Sequence, residues 1–191
     1  MLQIGDLVPE FSLTTDGGKT VSSASLKGRR YVLYFYPKDD TPGCTTEACS
    51  FRDNLPAFNA ASVEIFGVSA DSGAAHDKFV KKFSLNFPLI SDPSRVLIER
   101  MGVWIEKSMY GKKYMGIARA TFVVDAAGTV EKIWEKVSPA GHAEQVLAYL
   151  AGKPDAPIKK AAPAKKAVAK KAVAKNAVTK EAASKAVKKA L

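Results

Sequence analysis

From Arg30 to Pro37 the chain is an almost unbroken β-branched and aromatic run, centred on Tyr31-Val32-Leu33-Tyr34-Phe35-Tyr36. Such a run fits a strand buried on both faces, which requires a sheet covered above and below, and the proline closes it. A polar turn follows, Lys38 to Gly43. Between Cys44 and Asn59, Ala48, Phe51, Leu55 and Phe58 recur at spacings of three and four, which predicts one buried helical face, with Pro56 kinking or ending the helix. Val63 to Ser69 reads as a second buried strand, and Gly73 to Phe83 as a second helix with Phe79, Val80 and Phe83 inward. Strand, helix, strand, helix implies a parallel pair. Arg119 to Asp125 and Thr129 to Glu135 alternate with period two around a turn at Ala126-Ala127-Gly128, as an antiparallel hairpin should. His142 to Leu150 is then expected to close the body with a helix. The sum is an α/β chain with a mixed β-sheet and helices on both faces, a three-layer sandwich of the size one core supports.

The pattern stops after Gly152. Residues 153–191 hold 12 Lys and 13 Ala against one Asp and one Glu, with no aromatic residue, whereas residues 1–152 carry 17 basic and 17 acidic side chains. The formal charge of +10 therefore belongs to the tail, and any argument for a polyanionic partner rests there. Pro154, Pro157 and Pro163 punctuate its start, and from Ala164 a five-residue unit recurs as AKKAV, AKKAV and AKNAV. Five residues turn a helix by about 140° beyond a full turn, so Val168, Val173 and Val178 share no face. The expected division is a folded body, 1–152, and a disordered or transiently helical tail, 153–191. Twelve lysines without aromatic residues suit nonspecific contact with DNA phosphates, while a solubilising extension or an anionic-membrane contact fits the same composition. No apolar run is long enough to span a bilayer, and no basic region precedes an apolar stretch at the start, so a cytoplasmic protein is expected; the expected oligomeric state is a monomer.

Two cysteines in such a chain point to catalysis or metal binding more than to a structural staple. Cys44 follows Pro42-Gly43 and opens the first helix, where unpaired N–H groups and the positive dipole end favour an anionic sulfur. An inert buried cysteine is the competing reading. Ionisation alone is a limited lever: about 3% of an ordinary thiol is ionised at pH 7, so complete ionisation gains at most about 30-fold. A large rate needs donors aimed at the attacked group, and the candidates are the Thr41 hydroxyl, the Gly43 and Cys44 N–H groups and an arginine. Cys49 lies five residues further on, roughly 8.6 Å away between Cα atoms in an ideal helix. A disulfide rarely tolerates more than about 7 Å. A cycle using both thiols must therefore unwind the first helical turns. Zinc is the weaker alternative, because the cysteine spacing is permitted but His76 and His142 lie far apart in the sequence. The expectation is no metal and no cofactor.

The stretch Tyr36-Pro37-Lys38-Asp39-Asp40-Thr41-Pro42-Gly43-Cys44-Thr45-Thr46-Glu47-Ala48-Cys49 resembles the active-site signature of peroxiredoxins, P-x-x-x-T-x-x-C, and the second cysteine at this spacing resembles the Q, or bacterioferritin comigratory protein, type. The run Gly116-Ile117-Ala118-Arg119-Ala120-Thr121-Phe122 resembles the family segment that delivers the active-site arginine. Together the resemblance spans most of residues 1–150. It implies a thioredoxin-like fold with Cys44 as peroxidatic thiol, Cys49 as resolving thiol, Thr41 and Arg119 as activating residues, Pro37 shielding the site and Glu47 orienting Arg119; Gly43 and Glu47 are the expected substrate-binding residues. The implied activity is reduction of hydrogen peroxide and organic hydroperoxides through a Cys44 sulfenic acid and an intramolecular disulfide, recycled by thioredoxin or a similar dithiol. A general thiol-disulfide oxidoreductase would use the same fold and thiols, and a nucleic-acid-associated protein with an incidental body is a third reading. Apart from the family, Arg119 is a permanent cation with forked donors, or else a surface salt-bridge partner. Thr41 equally suits a helix N-cap. Trp104, Tyr110 and Tyr114 are candidates for the site entrance or for packing, and the two histidines read as surface or packing residues without a role.

Overall fold

The computed structural model describes residues 1–109 and 111–152, so the expectations for the tail and for Tyr110 lie outside the described residues. In chain order the elements are β1 Ser12–Thr15, β2 Thr20–Ser22, β3 Arg30–Phe35, α1 Pro42–Ala60, β4 Val63–Ser69, α2 Gly73–Phe83, β5 Leu89–Ser91, α3 Val96–Arg100, β6 Trp104–Met109, β7 Lys112–Ile117, β8 Ala120–Val124, β9 Val130–Trp134 and α4 His142–Leu150. Seven strands form one mixed sheet in the order β2-β1-β5-β4-β3-β8-β9, and β6 pairs with β7 in a separate ribbon. β3 lies parallel to β4, with Phe35 opposite Val68, and antiparallel to β8, with Phe35 opposite Ala120.

The central position of β3 explains its composition. Successive side chains alternate between faces, so Tyr31, Leu33 and Phe35 enter one core with Leu97, Ile98 and Val103. Val32, Tyr34 and Tyr36 enter the other, with Phe51 and Phe58 of α1, Phe79 of α2 and Val146 of α4. The three layers are as expected, but the helices divide unequally: α1, α2 and α4 cover one face, and the short α3 with irregular chain covers the other.

Pro56 does not end α1, which runs on to Ala60. A proline inside a helix removes the N–H that would bond the carbonyl four residues earlier. Here that carbonyl belongs to Arg52, and it accepts a hydrogen bond from Asn86 Nδ2 at 3.3 Å instead. With the orphaned oxygen satisfied, Phe51 and Phe58 stay buried on either side of the proline.

Candidate active site

Beyond β3 the chain makes one tight turn before α1. Asp40 takes a left-handed backbone conformation (φ 55°), which aspartate tolerates better than most residues. Pro42 then occupies the start of α1, where its fixed φ fits and its missing N–H costs nothing. Thr41 holds the N-cap position with extended backbone, but its hydroxyl donates to the Lys38 carbonyl at 3.1 Å and makes no cap hydrogen bond. Among the described residues it makes no hydrogen bond to Cys44. Pro37 is exposed on the same loop.

Cys44 sits in the first turn of α1 and is 1% exposed. The first intrahelical bond runs from Thr45 N–H to the Thr41 carbonyl at 2.8 Å, so the Gly43 and Cys44 N–H groups precede it and remain as helix-terminal donors. Arg119, in the short link between β7 and β8, donates from Nη2 to Cys44 Sγ at 3.2 Å and from Nη1 to Glu47 Oε2. Glu47 lies three residues after Cys44, one turn along the same helical face. Gly43 leaves room for the guanidinium: a Cβ there would stand 3.3 Å from Arg119 Nη2 and 3.4 Å from Pro139 Cγ.

Electrostatically the site is a sealed carboxyl against a fixed cation. The Glu47 side chain is 0% exposed and that of Arg119 17%. Burial pushes the Glu47 carboxyl up to about 7 against the opposing pull of Arg119. Glu47 Oε1 has no hydrogen-bond partner among the described residues. Burial also opposes the charge on Arg119, but the Glu47 carboxylate and the Cys44 sulfur more than offset it and hold the guanidinium above its ordinary value. Lys107 of β6, passed over in the sequence because it lies in a polar ribbon, donates from Nζ to the Ile117 carbonyl. Burial and then the nearby Arg119 charge lower its ammonium, with Cys44 opposing.

Cys49 is half-buried in α1, and neither cysteine is bridged. Burial pushes its thiol up, with Arg52 opposing and Asp53 adding. The histidines are not surface residues, because both are fully buried. His142 Nε2 lies 2.8 Å from Thr121 Oγ1. His76 Nδ1 lies 2.8 Å from Asp39 Oδ2, which ties α2 to the loop before Cys44. Trp104 packs under the Arg95 guanidinium at 4.7 Å, and Tyr114 is 44% exposed on the β6–β7 ribbon. Among the described residues no group of three or more His, Cys, Asp and Glu side chains is placed to hold a metal ion, and no helix is long and apolar enough to cross a membrane.

The profile of the AhpC/TSA family matches residues 4–133. Peroxiredoxin Bcp of Bacillus subtilis is 46% identical over 149 residues, which cover 78% of this chain and 95% of that protein. The chain belongs to the AhpC/TSA family, among its Bcp-type peroxiredoxins. A putative peroxiredoxin bcp of Coxiella burnetii is 45% identical over 78% of this peroxiredoxin and 99% of its own length. Among solved structures, Xanthomonas campestris peroxiredoxin Q shares 45% identity and a TM-score of 0.71, covering 74% of this chain and 90% of that one. The peroxiredoxin therefore has the thioredoxin-like fold.

Proposed function

We propose that this peroxiredoxin is a thiol-dependent peroxidase that reduces hydrogen peroxide and organic hydroperoxides in a two-cysteine cycle. The observation that carries the reading is one guanidinium shared between Cys44 Sγ and Glu47 at a helix N-terminus. In the first step the Cys44 sulfur attacks the distal oxygen of the hydroperoxide, the O–O bond breaks, and the alkoxide or hydroxide leaves with a proton from water. Sulfur loses two electrons and becomes a sulfenic acid. Arg119 and the Gly43 and Cys44 N–H groups face the charge that develops on the peroxide oxygens. Glu47 orients Arg119, Thr41 organises the loop through Lys38, and Pro37 shields the sulfenic acid.

In the second step the Cys49 thiol gives up its proton and attacks the Cys44 sulfur. An S–S bond forms and hydroxide leaves, taking up the proton as water. An external dithiol of the thioredoxin type then reduces the disulfide. Both thiols lie on one chain, so the cycle needs a monomer only, and a dithiol-driven cycle suits the reducing cytoplasm. The body, 1–152, carries the chemistry, and the tail, 153–191, adds nonspecific contact with nucleic-acid phosphates.

The test is stoichiometric peroxide consumption with thiol titration on wild type, Cys44→Ser and Cys49→Ser. Wild type should lose two thiols per peroxide. Cys44→Ser should consume none, because a hydroxyl cannot replace the sulfur as nucleophile. Cys49→Ser should still consume one equivalent and hold a sulfenic acid that dimedone traps. Retained activity in Cys44→Ser would overturn the assignment, and disulfide reduction by wild type without any peroxide would favour the general oxidoreductase.

A further inference from the structure

His76, in the first turns of α2, has no exposed surface, and both of its ring nitrogens face acceptors. Nδ1 lies 2.8 Å from Asp39 Oδ2 and Nε2 3.2 Å from the Ile90 carbonyl. A neutral imidazole donates from only one nitrogen, so the imidazolium alone satisfies both. Asp39 belongs to the loop between β3 and α1, and its other atoms are also engaged. Oδ1 accepts from the Tyr36 hydroxyl at 2.7 Å, and its N–H donates to Asp71 Oδ2 at 2.9 Å. Asp71 is held in turn by the Ser69 and Ser91 hydroxyls at 2.8 and 2.7 Å. The neighbouring Asp40 pairs with Lys82 of α2 in the open, where such pairs count for little. By contrast the His76 and Asp39 side chains are 0% and 8% exposed, and breaking a sealed pair strands two buried charges.

We propose that the His76–Asp39 pair is a latch on this loop, and that its strength sets the rate at which the first turn of α1 opens to bring Cys44 to Cys49. The inference rests on the two-cysteine cycle proposed above. The helical spacing of the two thiols requires that opening, and Asp39 lies five residues before Cys44, on the chain that must move. Among the described residues the latch makes no hydrogen bond to Cys44, Glu47 or Arg119, so its covalent route to the closed site is the loop. His76 and Asp39 are thus positioning residues. Weakening the latch leaves attack on peroxide nearly unchanged and hastens disulfide formation, so fewer sulfenic acids survive to meet a second peroxide and become sulfinic.

The latch is also pH-dependent. The titratable groups facing His76 are Asp39 and Asp71, with the Tyr36 hydroxyl behind Asp39, while β5 presents the Ile90 carbonyl. Burial opposes the imidazolium, but the hydrogen bond and charge of Asp39, helped by Ile90 and Asp71, raise His76 above its ordinary value. A raised folded value means that the pair's contribution is complete below the ordinary imidazole value and is lost as pH rises through the raised one.

The experiment follows the reduced full-length chain after rapid mixing with hydrogen peroxide. Acid-quenched, alkylated samples are analysed by mass spectrometry for sulfenic acid, disulfide and sulfinic acid. Asp39→Asn should accelerate the peroxide-independent step about tenfold near pH 6, with the ratio to wild type shrinking toward one in alkali, and should change the peroxide-dependent step by less than about twofold. Tyr36→Phe keeps the ring and removes one donor from Asp39, and should accelerate the same step by about threefold. It preserves the test if Asp39→Asn does not fold. Sulfinic acid at high peroxide should fall in both. Unchanged disulfide formation in folded variants, a ratio that ignores pH, or both steps slowing together would overturn the latch. A wild type that consumes peroxide without forming the disulfide would instead overturn the two-cysteine cycle.

Discussion

Arg119 and Cys44 stand 75 positions apart in the sequence and 3.2 Å apart at Nη2 and Sγ. The sheet produces this meeting: β8 pairs with β3 so that Ala120 faces Phe35, which sets Arg119 beside the loop that leads into α1. A cation in this place acts by geometry as well as charge, since two nitrogens of one planar group serve two acceptors.

Arg119→Ala should therefore slow the peroxide-consuming step by about 100-fold or more, the usual cost of a lost oxyanion donor. Arg119→Lys should recover only part of it, because a point charge cannot hold Glu47 and face the sulfur with a fixed fork. Single-turnover rates against hydrogen peroxide check both, and a lysine variant as fast as wild type would show that charge alone suffices.

Glu47 supplies the second expectation. With its carboxyl pushed up to about 7 by burial, it is largely neutral at pH 6 and largely ionised at pH 8. Only the ionised form gives Arg119 a charge-assisted anchor. The peroxide step should thus lose rate as pH falls through this range. Glu47→Gln should remove that limb, leaving a lower rate with a weaker dependence between pH 6 and 8. The profile is read by pH-jump stopped flow, and an identical limb in the variant would assign the titration elsewhere.

Where burial was written locally, the fold was legible in the sequence. Val63–Ser69, Gly73–Phe83 and His142–Leu150 coincide with β4, α2 and α4, because each carries its apolar period within one short window. The edge strand β2 and its neighbour β1 were missed: Thr20–Ser22 and Ser12–Thr15 are mostly polar and half-exposed, and pairing rather than composition makes them strands. The β6–β7 ribbon escaped for the same reason, with Ile105, Tyr114 and Met115 left outside the core. In the site, Cys44, Glu47 and Arg119 were nameable from motif and residue chemistry. His76 was not, because what lets an imidazole be buried is an acceptor on Asp39, 37 positions away. Of the two outcomes expected at Pro56, an end to the helix does not occur, and the Asn86 amide that satisfies the Arg52 carbonyl lies on another segment where no local pattern shows it.

Gly67 makes a stability prediction. A Cβ there would stand 2.6 Å from the Tyr34 hydroxyl oxygen and 2.7 Å from Leu89 Cδ2. Tyr34 cannot swing away, being stacked on Phe51 at 4.7 Å between centroids. Gly67→Ala should cost about 1–3 kcal/mol by overpacking. The Tyr34 hydroxyl is buried without a partner among the described residues, so adding Tyr34→Phe should return more than the Tyr34→Phe change alone gives. Guanidinium unfolding of wild type, both single variants and the double variant measures it, and a double variant that is merely additive with the Tyr34→Phe single, or worse, would place the clash elsewhere.

The charge segregation along the chain gives the last expectation. Residues 1–152 are formally neutral and residues 153–191 carry +10, so truncation after Gly152 should preserve peroxide kinetics and abolish affinity for duplex DNA. Affinity of the full chain should fall steeply with salt, with a log-log slope near −0.9 for each phosphate neutralised, about as counterion release requires. Random duplexes should compete equally, because lysine and alanine in this repeat present no pattern matched to base edges. Fluorescence anisotropy on a labelled random duplex across a salt series reads all three. Binding by the truncated body, or none by the full chain even at low salt, would deny the tail this role, whereas loss of peroxide turnover on truncation would show that the body needs the tail.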